Sequence, residues 1–284
     1  MKVKRMLLGL LFCAGLLAMA GCSIPIPTIH PLTKIDTVEE VQTVSLGSAS
    51  RAEVKLRLLS ESLVVQPAIE PDFFTGTFRY NVQEWSPKID QTIESGTLKL
   101  TVGQGLGSQI PFGQGDEYDN AWAVKLNPGV PMDLSVDMAS GTADLDLTGL
   151  SITRLVLTTG KADVGVVFNA VNPEPLGMLR VTAGTGKTTM TGLGNANFDQ
   201  VNIIGGAGSV NLDFSGALTR SAVVDIKAGA GEFDIRVPDA VGVRVTYIGT
   251  PISTMSTTGF SELAENIYVN AAYGNAALTL TIKI

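Results

Sequence analysis

Cysteine and histidine are almost missing from these 284 residues: there are two Cys, at positions 13 and 22, and one His, at 30. That scarcity excludes a disulfide framework, a Cys–His dyad, a Ser–His–Asp triad and any His-based metal centre. Charge is thin as well. Asp, Glu, Lys and Arg make up 17% of the chain, below the usual quarter or so, and aromatics make up 6%. The longest apolar run, near the N-terminus, is too short for a comfortable membrane span. Glycine, by contrast, is plentiful, at 31 residues. Little charge, few aromatics and much glycine point to a β-rich repeat protein with tight corners.

The opening "MKVKRMLLGLLFCAGLLAMAGC" has the layout of a secretory signal. Lys2, Lys4 and Arg5 form its basic start, and Leu7 to Leu17 its apolar core. Met19-Ala20-Gly21-Cys22 then resembles the lipobox of bacterial lipoproteins, which makes Cys22 the expected lipidation site and mature N-terminus. The competing reading is plain cleavage after Ala18-Met19-Ala20, with Cys22 incidental. Acyl chains worth about 0.8 kcal/mol per buried methylene would hold such a protein on a membrane. Ser23 follows the Cys, so the Asp that retains some lipoproteins at an inner membrane is missing. Removing the three signal cations from the formal −7 leaves −10 on the mature part. That balance suits neither nucleic acid nor non-specific adhesion to anionic lipid. The expected partners are the membrane, through the anchor, and a cell-wall polymer or envelope protein. No cofactor and no metal are expected. The expected location is extracytoplasmic, in the cell envelope.

Residues 22–48 are proline-rich at their start and read as a tether. From about residue 50 alternating segments begin. Residues 49–130 are expected to form an N-terminal β module and residues 131–284 a repeat domain.

Within the repeats, "VTAGTGKTTMTG" resembles a phosphate-binding loop. Gly186, Lys187 and Thr188 supply the end of that motif, but Val181 stands where its opening Gly must be, and no helical stripe follows. The stretch reads better as one row of a series. Gly141, Gly160, Gly186, Gly208 and Gly231 serve as anchors, 19, 26, 22 and 23 residues apart. Five places before them stand Val136, Leu155, Val181, Ile203 and Ile226, and four places after stand Leu145, Val164, Met190, Leu212 and Ile235. Such period-two alternation on both sides of a Gly corner predicts an all-β, parallel β-helix-like solenoid, its rows stacked about 4.8 Å apart. A β-sandwich is the rival, and the leucine-rich signature is absent. "FNAVNPEPLG" reads as a loop bulging from one coil, and "AALTLTIKI" as a closing strand.

"DFFTGTFRYNVQEWSPKI" followed by "SGTLKLTVGQG" resembles the N-terminal module of the toast-rack family, on Gly76, Phe78, Tyr80, Asn81, Trp85 and Pro87. The Gly-cornered rows resemble its C-terminal module, shared with cell-wall-active antibiotics response proteins and adhesin-type β-solenoids. The resemblance covers about residue 50 to 284. It implies an envelope-exposed solenoid without assigned catalytic residues. Membrane-embedded relatives have transmembrane helices where a lipid anchor is expected in this chain.

Asp144, Asp163, Asn211 and Asp234 fall three places after four of the anchors and form a candidate outward ligand ladder, interrupted by Thr189. Calcium or a cationic polymer suits such a ladder, although the calcium-binding nonapeptide repeat is absent. Trp85 and Trp122 serve either sugar stacking or the junction between modules. Arg154, Arg180, Arg220 and Arg236 stand near row ends, where an enzyme would pair them with acids. The expected function is a non-catalytic, lipid-anchored surface for binding, adhesion or envelope signalling. The alternatives are a carbohydrate-active enzyme on a β-helix and a ligand-free spacer.

Overall fold

Extended backbone places alternate side chains on opposite faces, so a chain that alternates apolar and polar residues builds strands with one buried side. The computed structural model describes residues 32–104, 118–249 and 253–284, and these form eighteen strands with two short 3₁₀ turns, Gln83–Trp85 and Leu193–Ala196. The strands make one continuous ladder, which three long strands divide into two sheets.

Sheet one begins with β4 (Pro87–Glu94) and β5 (Thr97–Gln104), paired antiparallel. It continues in parallel through the first halves of β2 (Arg51–Pro67), β7 (Met132–Asp146) and β8 (Ile152–Val167). Then follow β9 (Met178–Ala183), β11 (Gln200–Gly205), β13 (Ala222–Lys227), β18 (Thr279–Lys283) and β15 (Gly242–Thr246), all parallel. An antiparallel pair, β17 (Ile267–Asn270) and β16 (Phe260–Ala264), completes it. Sheet two starts with antiparallel β1 (Lys34–Val44), β3 (Phe74–Val82) and β6 (Asn120–Leu126). It takes up the second halves of β2, β7 and β8, and continues in parallel through β10 (Lys187–Thr191), β12 (Ser209–Asp213) and β14 (Glu232–Arg236).

From β2 to β14 each coil therefore contributes one segment to each sheet, with a corner between. At the corner the burial phase switches. In β7 the buried residues are Met132, Leu134, Val136 and Met138 before it, and Ala143 and Leu145 after it. The switch keeps both segments facing one core as the chain turns. The coil returns along a third side. There Phe168, Phe198 and Phe214 are fully buried, the last two with ring centroids 6.0 Å apart. "FNAVNPEPLG" is this third side, not a bulge: Phe168, Asn172 and Leu176 are all buried. Asn172, 1% exposed, bonds the N–H and C=O of Ile152 and the C=O of Ala196. It thereby supplies the hydrogen bonds that irregular buried backbone needs.

The solenoid expected from the rows is present, with four adjustments. Residues 34–44, placed in the tether by the sequence, form β1 on the edge of sheet two; residues 22–31, Cys22 among them, lie outside the described residues. Residue 130 is not a break between cores, because β2 of the N-terminal module pairs with β7 of the repeats over both sheets. "STMSTTGFSELAEN" interrupts the rows but contains β16, and the closing strand β18 slots between β13 and β15.

The fourth adjustment is the register of one coil. Gly141 pairs with Ala162, not Gly160, and Val164 pairs with Thr188. The intervals are thus 21 and 24, not 19 and 26. Two glycine-lined columns run along the corner in place of one. Ala139, Gly160, Gly184, Gly206 and Gly229 form the first; Glu61, Gly141, Ala162, Gly186, Gly208 and Gly231 form the second. In each, a Cβ on a glycine would overlap the carbonyl oxygen of the coil beside it, as between Gly186 and Ala162.

Candidate functional site

The regular surfaces of this molecule are the outward faces of its two sheets, and both consist of columns fixed by strand register. On sheet two one column reads Val64, Asp144, Gly165, Thr189, Asn211, Asp234. Of the four expected ladder residues, only Asn211 and Asp234 are neighbours. Asp163 belongs to the adjacent column, beside Thr142. Its Oδ1 accepts the backbone N–H of Lys187 at 2.7 Å, so this carboxylate ties one coil to the next. The Asp144 carboxylate leans over Gly165, where the missing side chain leaves room. Among the described residues no group of three or more His, Cys, Asp or Glu side chains is placed to hold a metal ion.

The residues expected for an enzyme are dispersed. Arg220 pairs with Asp199 at 3.1 Å and bonds the side chain of Asn197. Arg236 lies on β14 in sheet two, whereas Arg154 and Arg180 lie on sheet one. A groove of about 330 Å³ on sheet one is lined by Arg51, Glu53, Glu94, Lys99 and Asp133. Its carboxylates are each engaged. Glu94 pairs with Lys99, Glu53 with Lys55 at 2.7 Å, and Asp133 with Arg51 at 3.2 Å and with the Thr153 hydroxyl at 2.6 Å. The hydrogen bond from Lys55 holds the Glu53 carboxyl below its usual range, and Lys99 is raised by its bond to Glu94. A carboxylic acid that protonates a leaving group needs the opposite shift.

Both tryptophans are buried. Trp122 meets Phe78 edge to face at 5.1 Å, and Trp85 packs against Tyr118 at 5.8 Å. They serve the core of the N-terminal strands and present no ring for sugar stacking.

One feature of the surface is legible only from the strand order. From β8 to β15 the outward positions of sheet one carry Arg154, Arg180, Lys227, Lys283 and Arg244. The single acid among them is Asp225, which lies 3.6 Å from Lys283. Sheet two, from β8 to β14, carries four carboxylates and three cations on its outward positions. The two faces thus differ in sign although the whole chain is acidic.

This architecture agrees with the family match. The model of the N-terminal domain of toast_rack, DUF2154, matches residues 33–176 and again residues 170–236. The first match starts at the head of β1 and crosses residue 130, and the second reaches β14. The chain belongs to the toast-rack family. Among solved structures it is similar to a candidate cell adhesion protein from Clostridium sporogenes ATCC 15579, at 21% identity and a TM-score of 0.47 over 87% of this chain and 94% of that one. It is also similar to a candidate adhesin from Parabacteroides distasonis ATCC 8503, at 9% identity and a TM-score of 0.24 over 71% of this chain and 94% of that one. No curated protein matches. No helix among the described residues is long and apolar enough to cross a membrane.

Proposed function

We propose that this toast-rack protein is a non-catalytic component of the cell envelope, anchored through lipidated Cys22 and using its solenoid as a pre-ordered binding surface. The observation that carries this reading is the set of outward columns, held in register by parallel pairing from β2 to β14 and from β2 to β15. A surface ordered before contact loses little conformational entropy on binding, so many weak contacts add up along it. The engaged carboxylates of the sheet-one groove, with Glu53 held low, support a binding role over acid catalysis.

Two measurements on the full chain test the proposal. Radiolabelled palmitate should enter the wild type and not Cys22→Ser, and equal labelling would refute the anchor. Isolated cell envelopes should retain the purified protein, and recovery of all of it in the unbound fraction would refute the binding surface.

A further inference from the structure

We propose that the outward face of sheet one, between β8 and β15, binds a linear polyanion of the envelope, a polymer with phosphate or carboxylate in its repeating unit. The inference rests on the binding-surface reading above and names the face and the chemistry.

Five cations lie on six neighbouring strands, in the order β8, β9, β11, β13, β18, β15. At about 4.8 Å per strand the strip is about 24 Å long. Arg180, Lys227 and Arg244 make no side-chain hydrogen bond or ion pair among the described residues. The chain has 27 acidic residues against 20 basic ones, so carboxylates to neutralise these cations are not scarce, yet only Asp225 lies within the strip and only Asp133 of β7, opposite Arg154, borders it closely. The charges of Arg180, Lys227 and Arg244 are left without a counter-charge among the described residues, and a bound anion supplies it. Polar groups suited to hydroxyl or sugar atoms, Thr182, Asn202 and Thr281, lie between them.

Geometry selects a linear ligand. Successive cations are one or two strands apart and offset by two residues along the strand, which puts their Cα atoms roughly 8–12 Å apart. One phosphate cannot bridge that interval, whereas a chain of phosphates meets the cations in turn. The strip is only two to three columns wide, or roughly 350 Å² from these spacings. That is well below the roughly 800 Å² per partner of a stable protein interface. An anionic bilayer would meet the field of the whole acidic molecule, whose formal charge of −7 becomes −10 without Lys2, Lys4 and Arg5. A single polymer strand meets chiefly the strip, because charges beyond about 8–10 Å are screened.

The test uses the full chain in detergent, with deacylated poly(glycerol phosphate) as the polymer and neutral dextran as its control. Phosphatidylglycerol vesicles offer the same glycerol phosphate chemistry as a bilayer. The triple variant Arg180→Gln, Lys227→Gln, Arg244→Gln is compared with Lys161→Gln, Lys187→Gln, Arg236→Gln, which removes equal charge from sheet two. Thermal midpoints identify whether both are folded.

The wild type should bind the polymer and not dextran. The sheet-one triple should lose about tenfold or more in affinity, and its slope of log K against log salt should fall by about 2–3 for three lost contacts. The sheet-two triple should change by less than about twofold. Equal loss in both triples, stronger binding to vesicles than to polymer, or no binding of polymer by the wild type would each overturn the assignment. If the wild type ignores the polymer yet is retained by envelopes, this assignment fails and the binding-surface reading stands; if it does neither, both fail.

Discussion

Gly141 shows how single residues set the corner. Its φ is +107°, and a Cβ there would overlap the Glu61 carbonyl oxygen. Gly141→Ala should therefore cost about 3 kcal/mol or more, since neither backbone has room to yield. Gly149 also has positive φ, at +76°, but has nothing within 4 Å of the added atom. Gly149→Ala should cost only about 1 kcal/mol, and urea denaturation of the two variants measures the difference. Acid sensitivity is also a matter of individual residues. Hydrogen bonds from Lys125 and Thr75 hold Glu70 below its ordinary value, and one from Lys55 does the same for Glu53. Both carboxylates have folded values below 4.5, so the stability they contribute is present above about pH 4.5 and is lost as pH falls through the lower folded value. The thermal midpoint should drop below about pH 4.5, and drop less in Glu53→Gln, Glu70→Gln. An identical acid limb in that variant would contradict the assignment.

Strands were legible wherever one face is buried and the other is wet, as in "VVDIK" and "VNIIG". β1 was not, because on the sheet edge its apolar residues Ile35, Val38 and Val41 follow a period of three and only Val44 is fully buried. The register of β8 is hidden in the sequence for a different reason. A shift of two residues leaves every side chain on its original face, so the apolar pattern fits either pairing equally well. The same slip moved Asp163 into the wrong column of the candidate ladder. The basic strip was hidden because it depends on β18 lying between β13 and β15, which no local pattern encodes. Leu280 and Ile282 of β18 are buried between those neighbours. Deleting residues 279–284 should unpair both and lower the thermal midpoint by about 10 °C or more, as two lost core side chains are worth roughly 2–3 kcal/mol each and a kcal/mol shifts a chain of this size by about 2–4 °C. At the heart of sheet two Met190 is fully buried, and Met190→Ala should cost about 2–5 kcal/mol by chemical denaturation.

In the whole molecule, coil-on-coil pairing makes a surface whose spacing is set by the backbone and not by side-chain packing. That spacing fixes which charges become neighbours, and so gives sheet one and sheet two faces of different sign. Its most direct test is a distance across several coils. Asp144 and Asp234 lie in one column with Gly165, Thr189 and Asn211 between them, four strand spacings apart, or about 19 Å between backbones. Spin labels at Asp144→Cys and Asp234→Cys, in a chain with Cys13→Ser and Cys22→Ser, report that distance by pulsed electron resonance. Stacked coils predict a narrow distribution centred within a label's length of 19 Å. A broad distribution, or a narrow one centred beyond about 35 Å, would contradict the stacking from which every other conclusion follows.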